Sequence, residues 1–318
     1  MTRIDAVITW VDGAQPAHRR KREHWLAQTT PANENGTNPH RWACSDELRY
    51  CLRSIANHAP WLARIWIVTD AQTPDLAGLP GDLHDRISIV DHRALFAGHE
   101  GVLPTFNSLA IESVLWRIPG LAERFVYFND DVFLTAPLAP ADVFHGMAPV
   151  LRGKWVDRRA LLADPVHRHD PARLDDCAQI NAAALAGFTP DRLFVAAHVV
   201  HPLRRSVFAH AWDSHRAAFT RNIGHRFRCV TQFQPQALHN HVCLAAGTAV
   251  VTTTNDHLHL RTGAVADYPL AHVRAYLRRA ISPAIKFLCI NDLPALEAMI
   301  PDARSWIEAA IAPAAQAA

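Results

Sequence analysis

No run of eighteen apolar residues occurs in the 318-residue chain, and Met1 leads straight into a charged strand pattern with no apolar leader core. A membrane-spanning helix needs about 20 such residues, and a secretory leader needs its own apolar core. The expectation is therefore a soluble, cytosolic protein, for which a membrane surface stays open as a workplace. No C-x-x-C pair occurs among the six cysteines, Cys44, Cys51, Cys177, Cys229, Cys243 and Cys289, so free and mostly buried thiols in a reducing compartment are expected. Nor is there a block of five like charges. The densest basic cluster is His18-Arg19-Arg20-Lys21-Arg22 and the formal net charge is only +2, which argues against a dedicated nucleic-acid binder. Internal repeats are missing too, and low complexity is confined to the Ala-rich last seven residues.

What is present is a core. With 49% hydrophobic and 19% charged residues, the chain suffices for one large domain or two ordinary ones. Four apolar runs read as strands buried on both faces: Ile4 to Val11, Ile65 to Thr69, Ile87 to Val90 and Phe125 to Phe128. Asp12, Asp70 and Asp91 follow the first three directly, and Asp130 and Asp131 come soon after the fourth. Open α/β sheets bind ligands at the carboxyl ends of their strands.

Helical patterns alternate with these strands. The clearest runs from Ser45, a predicted N-cap, through Glu47 to about His58, with Leu48, Cys51, Leu52 and Ile55 on one face and Arg49 and Arg53 on another. A second begins near Asn107 or Ser108, carries Glu112, and stops at Pro119-Gly120. The pattern predicts a doubly wound α/β sheet over 1–135. It weakens over the proline-rich stretch 136–190, where a variable lid or insertion is expected. Residues 191–318 would complete the catalytic domain, with a helix over 203–218, a strand over 248–254 and a closing helix over 294–311.

The stretch "VYFNDDVFL" (126–134) ends a core strand on two acids. A buried carboxylate costs several kcal/mol unless paired or metal-bound. One reading is a turn, in which Asp bonds the local backbone; the other is a pair of hard oxygens holding Mg²⁺ or Mn²⁺ against a diphosphate. Side chains alternate along an extended segment, so only one of the two should face such a ligand directly.

Several stretches carry a resemblance: "IDAVITWVDG" (4–13), "SDELRYCLRSIANHAPWLARIWIVTDAQ" (45–72), "ISIVDH" (87–92), "LPTFNSLAIESVLWRIPGLAERFVYFNDDVFL" (103–134), "HVVHPLRRSVF" (198–208), "RFR" (226–228) and "KFLCINDL" (286–293). Together they resemble the Stealth family, over a little under half of the chain. That family comprises bacterial capsular and exopolysaccharide phosphotransferases and the catalytic part of the animal lysosomal-enzyme N-acetylglucosamine-1-phosphotransferase. The resemblance implies a GT-A-like, Rossmann-like fold and transfer of a sugar-1-phosphate from a UDP-sugar, UDP-GlcNAc or a related hexose, to a hydroxyl of an acceptor glycan. UMP would be released, in capsule or exopolysaccharide synthesis, with Mg²⁺ or Mn²⁺ as cofactor. Carried over position by position, it implies Glu112, Asp131, His198 and Arg228 as catalytic residues. Asp131 would hold the cation with Asp130 or Asp292. Where many members have an acid shortly after the "RFR" arginine, this chain has Gln232.

For the donor, Trp10, Val11, Asp12 and Gly13 at the end of the first strand, with Glu47, Arg49 and Arg53 on the following helix, are the candidate contacts, Gly13 allowing close backbone approach. Thr105 and Asn107 stand where a helix N-terminus would meet an anion. Imidazole titrates near neutrality, which makes a histidine such as His198 the natural general base and Glu112 its rival. His239-Asn240-His241 reads as structural; His257 and His259 alternate onto one strand face as a metal pair or as ordinary surface histidines. The competing functions are a GT-A glycosyltransferase that releases UDP and a non-catalytic nucleotide-sugar-binding protein.

Overall fold

Four apolar runs form the strands β1 (Ile4–Thr9), β2 (Ile65–Thr69), β3 (Ile87–Asp91) and β4 (Arg124–Asn129) of the computed structural model, which describes residues 3–29, 34–164, 166 and 170–313. β1 pairs in parallel with both β2 and β4, and β2 in parallel with β3. A fifth strand, His201–Arg204, runs antiparallel along the far edge of β4. The order is thus β3-β2-β1-β4 and then the edge strand.

Alternation along the strands divides the core in two. Ala6, Ile8, Ile65, Ile67, Val126 and Phe128 face one hydrophobic cluster, while Val7, Trp66, Val68, Phe125 and Tyr127 face the other. Both sheet faces are therefore covered, which is why these strands read as continuous apolar runs. The expected mixed α/β architecture with a parallel sheet and flanking helices is what the chain adopts.

Helix α1 (Pro16–Ala27) follows β1, and α2 (Glu47–His58) buries Leu48, Cys51, Leu52 and Ile55 in the first cluster. Its predicted cap is corrected. Asp46, in left-handed backbone at φ 67°, holds the N-cap position without a side-chain hydrogen bond. The next predicted helix is shorter than its pattern: Ser108–Glu112 is helical, capped by Asn107 Oδ1 on Leu109 N–H, and a 3₁₀ turn at Leu115–Arg117 follows.

Beyond β4 the chain leaves the sheet. After Asp130 and Asp131, β5 (Val132–Leu134) pairs antiparallel with Phe287–Asn291, which pairs in parallel with His257–Arg261. The two acids therefore mark the passage from one sheet into another. Within 136–190, the strand Ala148–Val156 pairs with Phe144–His145, Leu193–Ala196 and Val250–Thr252, so this proline-rich stretch is woven into a third sheet with residues from both later regions. The helix expected over 203–218 is split into Arg205–Ser214 and Arg216–Gly224. The closing helix is split into Leu293–Met299 and Ala303–Ile311 around Pro301, which cannot continue a helical ladder. None of the six cysteines is in a disulfide. Among the described residues, no helix is long and apolar enough to cross a membrane.

Candidate active site

The strand order reverses between β1 and β4, and a crevice at the carboxyl ends of these two strands is where a doubly wound sheet receives its ligand. Asn129, Asp130 and Asp131 end β4 there. The start of α2 brings Glu47, the turn before the edge strand brings His198, and the neighbouring sheet brings His259, Cys289 and Asn291.

Asp131 is the hub. Its Oδ2 accepts a hydrogen bond from Asn291 Nδ2 at 2.5 Å, while its Oδ1 is buried without a hydrogen-bond partner and lies 4.0 Å from His198 Nε2. Burial pushes the Asp131 carboxyl above its ordinary range, against the pull of His198 and Asn291. Asp130 is driven well above its ordinary value by burial and then by the charges of Asp131 and Glu47. Glu47 is raised too, first by burial and further by Asp131, even though it accepts a hydrogen bond from Ser45 N–H. The charges of three carboxyls act on one another, and one buried oxygen, Asp131 Oδ1, has no hydrogen-bond partner. A bound cation would relieve both the repulsion and the orphaned oxygen, so the residues present fit a hard divalent metal.

A hydrogen-bond chain links the second acid to the imidazole. Tyr127, fully buried on β4, places its hydroxyl 2.9 Å from Thr9 Oγ1, 3.2 Å from Glu112 Oε1 and 2.8 Å from Asn129 Oδ1. Asn129 Nδ2 lies 3.3 Å from His198 Nε2. Because the Asn129 carbonyl faces Tyr127, its amide N–H groups face His198, and Nε2 must carry the lone pair. A phenol has one proton to give. When Glu112 is protonated, Tyr127 donates to Asn129; when Glu112 is ionised, Tyr127 can donate to it instead. Burial pushes the Glu112 carboxyl up, opposed first by the charge of Arg228. Arg228 itself donates to Ser108 Oγ at 2.6 Å, which sets its guanidinium on the Glu112 side of the crevice.

The same logic fixes His259. Asn291 must donate to the Asp131 carboxylate, so its Oδ1 faces His259 Nε2 at 2.6 Å, and that nitrogen carries the proton. The two imidazoles stack with centroids 4.7 Å apart and planes at 17°. Burial and the nearby His198 lower the His259 pKa to about 4, so this ring is neutral.

Of the residues the resemblance implies, Glu112 is linked through Tyr127 and Asn129 to His198, His198 adjoins Asp131, and Arg228 acts on Glu112. The other predicted residues have the following surroundings. Asp292 caps the helix Leu293–Met299, accepting from Ala295 N–H at 3.3 Å, and the neighbouring Asn291 is what reaches Asp131. Arg53 is paired with Glu308 of the C-terminal helix at 2.6 Å. Asn107 faces inward, its amide donating to His225 O and to Gln232 Oε1 at 2.8 and 2.9 Å, and Thr105 is buried. Gly13 is required by the protein itself, since a Cβ there would stand 2.1 Å from Trp42 O. Trp10 packs into the first cluster, and Val11 lies against Trp42, Phe106 and Phe227. Asp12 is tied by its backbone to Gln72, at 2.8 and 2.9 Å. Arg49 is exposed, its guanidinium lying against Gly78.

Gln232 has a structural reason to be an amide. Its Nε2 donates to Asn222 O at 2.8 Å, and its Oε1 accepts from Asn107 Nδ2 and from Cys229 N–H at 2.9 and 3.0 Å. Only a side chain that both donates and accepts satisfies all three, and Cys229 is adjacent to Arg228. The site residues not predicted are Tyr127, Asn129, Asn291 and Arg41. Arg41, in the turn Pro39–Trp42, has its pKa lowered to about 9 by burial and then by the charge of Arg228. The polar tips "FND" and "IND" of two apolar strands were the signal for Asn129 and Asn291. Nothing local points to Arg41.

Residues 41–149 match the family model described as Stealth protein CR2, conserved region 2, and residues 2–29 match Stealth protein CR1, conserved region 1. The chain is 37% identical over 255 residues to an exopolysaccharide phosphotransferase of Streptomyces coelicolor, covering 78% of this chain and 41% of that protein. It is 34% identical over 233 residues to the capsular polysaccharide phosphotransferase LcbA of Aeromonas hydrophila, covering 71% and 61%, and 32% identical over 295 residues to the exopolysaccharide phosphotransferase CpsY of Mycobacterium tuberculosis, covering 91% and 52%. The chain thus spans about half the length of the curated relatives it matches. Among solved structures it is similar to the galactosyltransferase LgtC in complex with donor and acceptor sugar analogues, at a TM-score of 0.45 and 13% identity, covering 96% of this chain and 95% of that one.

Proposed function

The chain belongs to the Stealth family, and we propose that it is a phosphotransferase moving a sugar-1-phosphate from a UDP-sugar, UDP-GlcNAc or a related hexose, to a hydroxyl of an acceptor glycan, releasing UMP. The observation that carries this reading is the juxtaposition of His198 Nε2 and the Asp131 carboxyl, 4.0 Å apart at the end of β4. Beside them stand two further carboxyls, and on the Glu112 side a guanidinium.

Phosphoryl transfer asks a protein for positioning and charge neutralisation rather than covalent help. His198 Nε2, kept in the accepting tautomer by Asn129 Nδ2 at 3.3 Å, takes the proton of the attacking hydroxyl once that hydroxyl displaces the amide. Arg228, fixed by Ser108, presents a planar fork of N–H donors to the negative charge on the transferred group, with Arg41 adding a second positive charge nearby. Glu112, through Tyr127, sets how firmly Asn129 holds the imidazole. Asp131, with Asp130 and Glu47, would hold Mg²⁺ or Mn²⁺, which when bound neutralises diphosphate oxygens.

Support comes from the relatives' printed names, from the four catalytic candidates meeting in one crevice, and from the position of that crevice at the strand-order reversal. The test is a screen of UDP-sugars with an acceptor glycan and ³¹P detection. UMP together with a phosphodiester-linked sugar is the expected product, and release of UDP would overturn the reading in favour of plain glycosyl transfer.

A further inference from the structure

Beside the proposed base His198 stand two donors that the proposed reaction does not use, His259 and Cys289. His198, His259 and Cys289 bring one ligand atom each to within 4.8 Å of one another, the one such group among the described residues. Two imidazole nitrogens and a thiol sulfur are a poor set for Mg²⁺, which prefers oxygen, and a good one for a borderline-soft ion such as Zn²⁺. We propose that this trio is a transition-metal site for Zn²⁺ or a similar ion, with the fourth position left to water or an anion, and with a softer donor set than the carboxylates that suit Mg²⁺.

Four features support it. The ligands come from three separate backbone segments, the turn before His201–Arg204 and the strands His257–Arg261 and Phe287–Asn291, so the fold itself converges them. His259 donates through Nε2 to Asn291 Oδ1, the outer-shell bond that typically fixes a metal-binding imidazole and leaves the other ring nitrogen with its lone pair. The His198 lone pair is on Nε2, where it accepts from Asn129 Nδ2 at 3.3 Å and would exchange that long hydrogen bond for the ion. Asp131 adjoins the trio, its Oδ1 4.0 Å from His198 Nε2, and sets a carboxyl beside the cation. Zn–N and Zn–S bonds of roughly 2.0 and 2.3 Å require the donors to close in and the His198 ring to turn out of its stack on His259, and His198, about a third exposed, has room to turn.

Binding balances simply. The Cys289 thiol loses its proton to solvent as sulfur bonds the ion, so one proton leaves per ion bound. Resting on the proposed role of His198 as base, occupancy has a consequence: the nitrogen that would accept the hydroxyl proton is taken, and Zn²⁺ becomes an inhibitor competing with catalysis rather than supporting it.

The experiment is titration of the reduced, metal-free full chain with Co²⁺, then with Zn²⁺, without donor or acceptor. One Co²⁺ per chain should give the intense visible bands of a four-coordinate ion and a near-ultraviolet thiolate charge-transfer band, both erased by Zn²⁺. Cys289→Ser should remove the charge-transfer band, and His259→Ala should weaken Co²⁺ binding by at least about tenfold. A pale six-coordinate spectrum from the native chain, or variants indistinguishable from it, would overturn the site. Should Cys289→Ser misfold, X-ray absorption on the Zn²⁺-loaded native chain decides instead, sulfur at about 2.3 Å being expected and an oxygen-only shell refuting. None of these measurements involves turnover, so the site and the transferase reading fail separately.

Discussion

Asn291 Nδ2 donates to Asp131 Oδ2 at 2.5 Å across the junction between the β4–β5 passage and the neighbouring sheet. This bond turns one oxygen of the aspartate away from the crevice and leaves the other, Oδ1, aimed beside His198. An amide here does two jobs at once, because its carbonyl also accepts from His259. Asn291→Asp would place a second carboxylate against Asp131 and deprive it of its donor. We expect kcat/KM at neutral pH to fall by about tenfold or more, with a partial recovery from added cation, since like charges side by side resist ionisation. A pH–rate profile identical to the parent's would contradict that role.

Asp131→Asn keeps the shape of the hub and removes its charge. Turnover should nearly vanish even at saturating Mg²⁺. The check is activity across a cation titration, and near-parental rates at its plateau would remove Asp131 from the mechanism.

His198→Ala should lower the rate by about 10² to 10⁴, the range typical of a positioned acid–base group. Tyr127→Phe deletes the hydroxyl between Glu112 and Asn129 without touching either reactant. Its effect on kcat should be smaller, about tenfold, accompanied by an altered pH dependence as the imidazole loses its link to Glu112. If His198→Ala is as active as the parent while Glu112→Gln is dead, the base is Glu112.

Gln232→Glu tests the explanation for the missing acid. A carboxylate cannot donate to Asn222 O, and it would lie buried beside groups arranged for an amide. A loss of at least about 1–3 kcal/mol in unfolding free energy is expected, measured by urea denaturation. Unchanged stability would show that the position tolerates the acid and that some other cause selects glutamine.

Acid stability should depend on Asp70. Burial alone would raise this carboxyl, but hydrogen bonds from His18 and Lys21, at 3.0 Å each, overcome it and hold the pKa at about 2. A folded pKa below the ordinary value of about 3.9 means that the unfolded chain binds the proton first. The stabilisation is therefore complete above that value and is lost as pH falls toward 2. Asp70→Asn should flatten the stability–pH curve in that window. Equal slopes for the two proteins in acid denaturation would refute the linkage.

The four parallel strands, the acid after each, and the apolar face of α2 were legible because each is a local pattern: continuous burial on both faces leaves a run of apolar residues, and periodicity reveals which side of a helix meets it. Glu112, Asp131, His198 and Arg228 came from resemblance, and the fold brings them into one crevice. What no local pattern held were the partners far along the chain. Arg53 meets Glu308, Gly13 meets Trp42, Asn107 meets Gln232, and Asn291 rather than Asp292 meets Asp131. A side chain's intrinsic chemistry is written at its own position, but whether it faces a ligand or another part of the protein depends on what the folded backbone carries past it. Only the tertiary structure makes that choice, because burial forces each polar atom to take whichever partner lies within reach.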